Sequence, residues 1–506
     1  MQDALTQLRE RLGEVSDLGS AATLLDWDQE TTMPAGGAAA RAEATATVRR
    51  LAHERFTDPA LGELLESLRE HEGSLPPDSD DASLVRVARR RHEKARRVPA
   101  ELAGELARAE SLGQRAWQAA RDASDFAALR PALERNVALA QEYAACFGDA
   151  AEPYDALLDD YEEGMTGAEV AAVFADLREA LVPLAAAIAG RDATPPGLTG
   201  PFALERQQAL VREVVGRLGW NEQAWRLDDS AHPFSAPVGA GDVRITTRYD
   251  EDHLQSVLAA LHETGHGLYA QGIDPALRRT PLGSSPSMAL DESQSRLWEN
   301  VVGRGRPFVG YLHGLLAEAF PEALADVDAD GLYRSLNSVS PSLIRVEADE
   351  VTYSLHVVLR FELERELISG DLAVADLPEA WNAGMRRLLG VEVPDDARGV
   401  LQDVHWAAGL FGYFPTYALG NVVALQVWER AREDLPGLDA ELAQGDCAAL
   451  GEWLREHLYR HGAKYTPAET IERVTGGPLD PAPLSRYLAA KYGELYRLDT
   501  IPSPTN

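Results

Sequence analysis

Two cysteines in 506 residues, Cys146 and Cys447, are too few and too widely spaced for a disulfide framework, and they fit a reducing compartment. There is no long apolar run either. The richest stretch, residues 181–189, falls far short of the about 20 residues that a membrane-spanning helix needs. The opening residues carry Asp3, Arg9 and Glu10, so they are expected to start an amphipathic helix rather than to act as a signal peptide. Positive charge is scarce: 48 Lys and Arg against 81 Asp and Glu give a net charge of −33. That balance argues against a nucleic-acid partner and against docking on anionic membranes. The one basic run, residues 86–97, reads as a solvated helix face paired with the acidic surface. These absences lead to the expectation of a soluble, cytoplasmic protein.

Strand signals are nearly missing too. Helical periodicity fills residues at about 1–22, 38–70, 83–120, 124–149, 167–190 and 203–218. It returns at about 253–271, 291–302, 307–319, 343–367, 376–388, 398–405, 415–432, 438–461 and 481–496. Polar, proline-rich breaks fall at 75–81 and 194–201. The one convincing strand is 242–249, β-branched and alternating. No fixed-period repeat or long linker divides the chain, and 45% hydrophobic residues suffice for a sizeable core. The expectation is a single, mainly α domain over residues 1–506.

What the chain does have is His262-Glu263-Thr264-Gly265-His266. Apolar residues at 254, 257, 258 and 261 put this segment on an amphipathic helix. Two histidines four apart lie one above the other, about 6 Å apart along the axis, and can reach one Zn²⁺. Glu263 is placed to activate a water without ligating the ion, so the motif suits metal-assisted hydrolysis. Gly265 and Gly267 are poor helix formers and are expected to make room for a neighbouring helix or strand. A catalytic zinc takes a third protein ligand, and 290–300 offers Glu292 and Glu299. Motif spacing favours Glu292, with Glu299 supporting it or forming an ordinary ion pair.

Further clusters stand at Trp27 to Pro34, His232-Pro233-Phe234, Asp242 to Thr246, Ile344 to Asp349 and Gly399 to Trp406. With the histidine motif, they resemble the signature set of the thermostable (Taq-type) metallocarboxypeptidases along nearly the whole chain. The resemblance implies a mainly α, two-lobed, homodimeric enzyme around a deep groove, with a small β element beside the zinc helix. It also implies release of single C-terminal amino acids from peptides with broad preference. It makes His262, His266 and Glu292 the ligands of Zn²⁺ (Co²⁺ being a possible substitute) and Glu263 the general base. His405 and Tyr417, twelve apart, match a pair that stabilises the oxyanion in related peptidases, with Tyr413 a second candidate. One position departs from the family: Asp291 stands where a histidine is usual, and it could orient a ligand imidazole through a carboxylate bond.

An enzyme that trims C-termini must bind a free carboxylate, and arginine does so bidentately. Arg345, read as part of a long helix, and Arg244, on the strand beside the zinc helix, are the candidates, against the alternative of ordinary ion pairs. His232 could close the groove end or merely cap a turn. Competing readings are an oligopeptidase cutting internal bonds and a noncatalytic zinc scaffold. An intact Glu263 argues against the scaffold, since structural sites close with four protein ligands.

Overall fold

The structure, a computed structural model, describes residues 2–148, 150–189, 191 and 198–498; positions 149 and 190 of the expected helices, and 194–197 of the second break, lie outside them. Helices dominate, and their ends follow local chemistry. The first, Gln2–Thr31, outruns its expected end and buries Trp27 before Pro34. It turns back through a short link into Ala38–Phe56. The expected run 38–70 stops at Thr57 because Asp58 caps a new helix, Pro59–Ser67, by accepting from the Ala60 N–H. The run 83–120 likewise divides into Asp80–Arg97 and Ala100–Ala123. Pro99 has no N–H to donate and pushes Val98 into extended backbone. Within Asp80–Arg97 the basic residues meet acids: Arg89 pairs with Glu72, Arg90 with Asp159 and Glu163, and Lys94 with Asp159 and Asp160.

Two expected helices are corrected. Residues 343–367 do not form one long helix: Arg345–Glu347 is a single 3-10 turn, and the helix proper is Tyr353–Ser369. Asp349 draws the backbone N–H groups of Ser340, Val351 and Thr352 onto its carboxylate, which holds the intervening chain in a turn. The segment 398–405 is turns rather than helix, tied down by Gln402, which donates to the carbonyls of Leu343, Arg398 and Gly399.

The expected strand becomes β3 (Asp242–Thr247), central in a three-stranded sheet of order β1-β3-β2. β1 (Trp225–Asp229) pairs parallel to it, and β2 (Ser235–Gly239) antiparallel with an irregularity at Pro237. β2 is an edge strand, where proline is tolerated. The sheet packs on the helix that carries the histidine motif, Gln255–Gly272. Gly267 lies so close to the Trp225 ring, and Gly265 to the next helix, Met288–Arg296, that a Cβ on Gly265 would sit 2.5 Å from the Gln294 carbonyl oxygen. One apolar cluster reaches from Leu5 to Tyr496, with a small second one under the sheet.

Candidate active site

Elements from distant parts of the chain line a groove of about 1480 Å³. The first helix lends one wall from Leu12 to Thr23, and residues 233–240 at β2 form another. His262, Glu263, His266, Asp291, Glu292, Tyr413 and Tyr417 face into it. The volume exceeds the roughly 300–1,000 Å³ usual for small-molecule sites and suits an extended chain.

Within the groove His262, His266 and Glu292 bring one donor atom each within 4.8 Å of one another. Glu292 Oε2 stands 3.8 Å from His262 Nε2 and 3.6 Å from His266 Nε2. The opposite ring nitrogens are engaged: His262 Nδ1 lies 2.8 Å from Glu299, and His266 Nδ1 lies 2.7 Å from Asp291. Both imidazoles are thereby turned to present Nε2, the orientation that carboxylate–histidine–metal arrangements use. Two imidazole nitrogens and a carboxylate oxygen fit a divalent cation of zinc type.

The charges reinforce this geometry. Burial works to lower the His266 pKa, but the adjoining Asp291 carboxylate overrides it and lifts the ring to about 9. Burial would raise Glu292, yet the Arg296 guanidinium and the two imidazoles hold it below the ordinary carboxylate range. Glu299 is held lower still against burial, by its bond to His262 and by Arg296. Glu263 is 6% exposed, and burial raises its pKa. Arg296 was not singled out in the sequence, although it stands four residues after Glu292 and three before Glu299. It donates to Glu292 Oε1 at 2.7 Å, to Glu299 at 3.3 Å and to the Tyr353 hydroxyl at 2.8 Å. The backbone widens there into a π-helical turn, Leu297–Val302, a distortion common at functional sites.

His405 and Tyr417 meet, with Nε2 3.1 Å from the hydroxyl oxygen. The Tyr413 ring lies 5.3 Å from that of Tyr417. Burial lowers the His405 pKa to about 4, the neighbouring Arg345 and Arg360 adding to the effect against Asp403, so the ring is neutral at pH 7. Burial raises Tyr417 far above the usual phenol range and Tyr413 to about 12.

His405, behind Tyr417, and the remaining expected residues stand off the groove lining. Arg345 is 5% exposed and donates to Asp403 at 2.8 Å and to the Tyr353 hydroxyl at 3.1 Å, with its guanidinium 4.7 Å from the Tyr417 ring centre. Asp403 also accepts from the fully buried Arg360 at 2.7 Å. Arg244 forms a two-bond pair with Asp242, at 2.8 and 2.9 Å, and lies over the Trp27 ring. The His232 side chain is exposed, while Pro233 and Phe234 beside it line the groove. Asp403 and Arg360 carried no sequence signal beyond a place in, or near, the quoted clusters.

Residues 7–492 match the family model of the carboxypeptidase Taq (M32) metallopeptidases. The chain is 42% identical to thermostable carboxypeptidase 1 of Thermus thermophilus, covering 97% of this chain and 99% of the relative. To carboxypeptidase 1 of Bacillus subtilis it is 37% identical, over 96% and 97%. The crystal structure of an M32 carboxypeptidase from Deinococcus radiodurans superposes with a TM-score of 0.95 at 44% identity, covering 98% of this chain and all of that one. With its histidine pair and Glu292 at the floor of a peptide-sized groove, the chain belongs to the M32 family of metallocarboxypeptidases.

Proposed function

We propose that the enzyme uses Zn²⁺, or Co²⁺ in its place, to release single amino acids of broad character from the C-terminus of peptides, with Glu263 as general base. The observation that carries this reading is the His262, His266 and Glu292 donor set inside a groove wide enough for a peptide, with Glu263 buried beside it. Once bound, the cation supplies Lewis acidity, polarising the scissile carbonyl and making water nucleophilic near neutral pH. Glu263, one residue after a ligand and facing the same groove, takes the proton of the attacking water and returns it to the leaving amine. His405, being neutral, keeps a single ring N–H, and Tyr417 keeps its hydroxyl proton. Both are proposed as donors to the carbonyl oxygen as charge develops there, each worth about 2.7–4 kcal/mol.

Recognition of the terminal carboxylate is assigned to the Arg345 end of the site. Arg345 and Arg360 share the single carboxylate of Asp403, so this buried group carries one net positive charge just behind His405. Arg345 has N–H groups left over to grip an anion. Tyr413 contributes groove surface for substrate, Arg244 holds the strand that borders the groove, and His232 with Pro233 and Phe234 closes one end. The reading takes residues 1–506 as one catalytic domain, supported by the apolar cluster from Leu5 to Tyr496. It includes a homodimer and a cytoplasmic setting, the latter supported by the unpaired Cys146 and Cys447.

The test is steady-state hydrolysis of a blocked peptide and its C-terminal amide, with and without chelator. The free acid should be preferred by roughly ten- to hundredfold, as a buried charge-assisted bond is worth about 1.5–3 kcal/mol. Chelator should abolish turnover and zinc restore it. Equal rates on acid and amide, with internal fragments as products, would favour the oligopeptidase reading instead.

A further inference from the structure

Three arginines line the groove, Arg91, Arg278 and Arg279, and one of them has no partner among the described residues. Arg279 is held by both carboxylate oxygens of Asp17, at 2.8 and 2.6 Å. Arg278 donates to the Gln271 carbonyl at 2.7 Å. Arg91 makes neither a hydrogen bond nor an ion pair with any described residue, and the charges that bear on it are Glu163, already paired with Arg90 at 3.1 Å, and Arg90 itself. Its helix neighbours Arg89, Arg90 and Lys94 are all paired. Arg86 and Arg278 are also half-buried without a carboxylate, but each donates to a backbone carbonyl, whereas Arg91 has neither kind of acceptor among the described residues. Burial weakens its hold on its proton, the sign of a cation lacking compensation.

Its place in the groove indicates what it could hold. The helix Asp80–Arg97 is tied to the turn Tyr459–Lys464 through Arg86, which donates to the Lys464 carbonyl at 2.7 Å. That turn packs on the far end of the histidine helix, where Asp274 N–H bonds the Arg460 carbonyl and Gly272 abuts Tyr459. Glu263, Glu292 and Arg91 line the same groove, with Arg91 on the helix tied to that far end. The terminal carboxylate of a carboxypeptidase substrate lies only one residue, about 3.8 Å of chain, beyond the scissile bond. A group that reaches Arg91 therefore belongs to the peptide upstream. Leu12, Val15 and Phe56 line the same groove and suit the stem of a long acidic side chain.

We propose that Arg91 forms a subsite for an acidic substrate side chain, preferably Glu, on the N-terminal side of the scissile bond. This rests on the carboxypeptidase reading, and the experiment keeps the two apart. Blocked peptides sharing one C-terminal pair would carry Glu or its isostere Gln at each upstream position in turn, with kcat/KM measured for wild type, Arg91→Met and Arg91→Lys. Wild type should prefer Glu at one position by about tenfold, the value of one charge-assisted bond. The Glu/Gln ratio should fall to about one in Arg91→Met and recover partly in Arg91→Lys, since a point charge lacks the guanidinium fork. Taking the ratio within one enzyme cancels any general effect of the substitution. A flat ratio at every position in wild type, or a preference that survives Arg91→Met, overturns the subsite. Release of single amino acids from the Gln peptides reports on the carboxypeptidase reading separately.

Discussion

At His262 the Nδ1 atom is engaged by Glu299, and at His266 by Asp291, so Nε2 of each ring faces Glu292. Asp291 occupies the place where the family resemblance implied histidine, and as a carboxylate it bonds the His266 imidazole directly. Arg296 then fixes Glu292 and Glu299 together and ties both to Tyr353, which also accepts from Arg345. Arg296→Met leaves both carboxylates without this donor, and the expected loss is about 10–100-fold in metal affinity, the usual scale for groups behind a ligand. Competition against a chromophoric chelator measures it; unchanged affinity would mean that the ligands are positioned without Arg296. His405 offers a pH test. Its folded pKa of about 4 lies below the about 6.5 of an unfolded histidine. The unfolded chain therefore binds its proton first on acidification, so the associated stability is complete above about pH 6.5 and is lost as pH falls toward 4. An NMR titration of the His405 ring should show a midpoint near 4; one near 6.5 would place the ring in solvent rather than behind Tyr417.

Among the elements, the histidine helix depends on two missing side chains. Gly265→Ala would put a methyl against the Gln294 carbonyl and the Ser295 Cα, both backbone atoms that cannot swing aside. Overpacking of this kind costs about 1–3 kcal/mol and should appear as a lower Tm in thermal denaturation. An unchanged Tm would show that Met288–Arg296 can retreat without cost. The reading of Gly265 and Gly267 as places of close approach came from their poor fit to a helix, and each has its own neighbour: a helix for one, a strand and the Trp225 ring for the other. The helix bearing the motif was legible because its periodicity is strong and local. The first and second strands were not: Trp225–Asp229 is short and mixed, and Ser235–Gly239 contains Pro237, so both depend on β3 for their conformation. The segments at 343–352 and 398–405 misled for a related reason. Their polar residues serve long-range bonds, as Gln402 and Asp403 do to Arg345 and Arg360, and those bonds outweigh helical propensity. Arg345 and Arg244 stood out as carboxylate binders by type alone; their pairing with Asp403 and Asp242 is visible only in three dimensions.

Over the whole molecule, a net charge of −33 surrounds a groove that must accept peptides ending in a carboxylate. Many surface acids pair with arginines, but 48 bases cannot match 81 acids, while uncompensated positive charge sits in the buried Arg345 and Arg360 pair and at the half-buried Arg91 of the groove. One apolar cluster joins the first helix to the last and packs the site-bearing elements, the histidine helix, Met288–Arg296 and Pro415–Asp434, together. This scaffold is proposed to present one metal-binding set and one base with separate duties. The most direct measurement is metal content and turnover of Glu263→Gln on the same sample, using a blocked peptide. The amide cannot accept a proton, so turnover should fall by at least about 10³-fold, at the level of a general base's contribution or above, while metal binds at the wild-type ratio. Near-normal turnover with full metal content would show that a group other than Glu263 takes the proton.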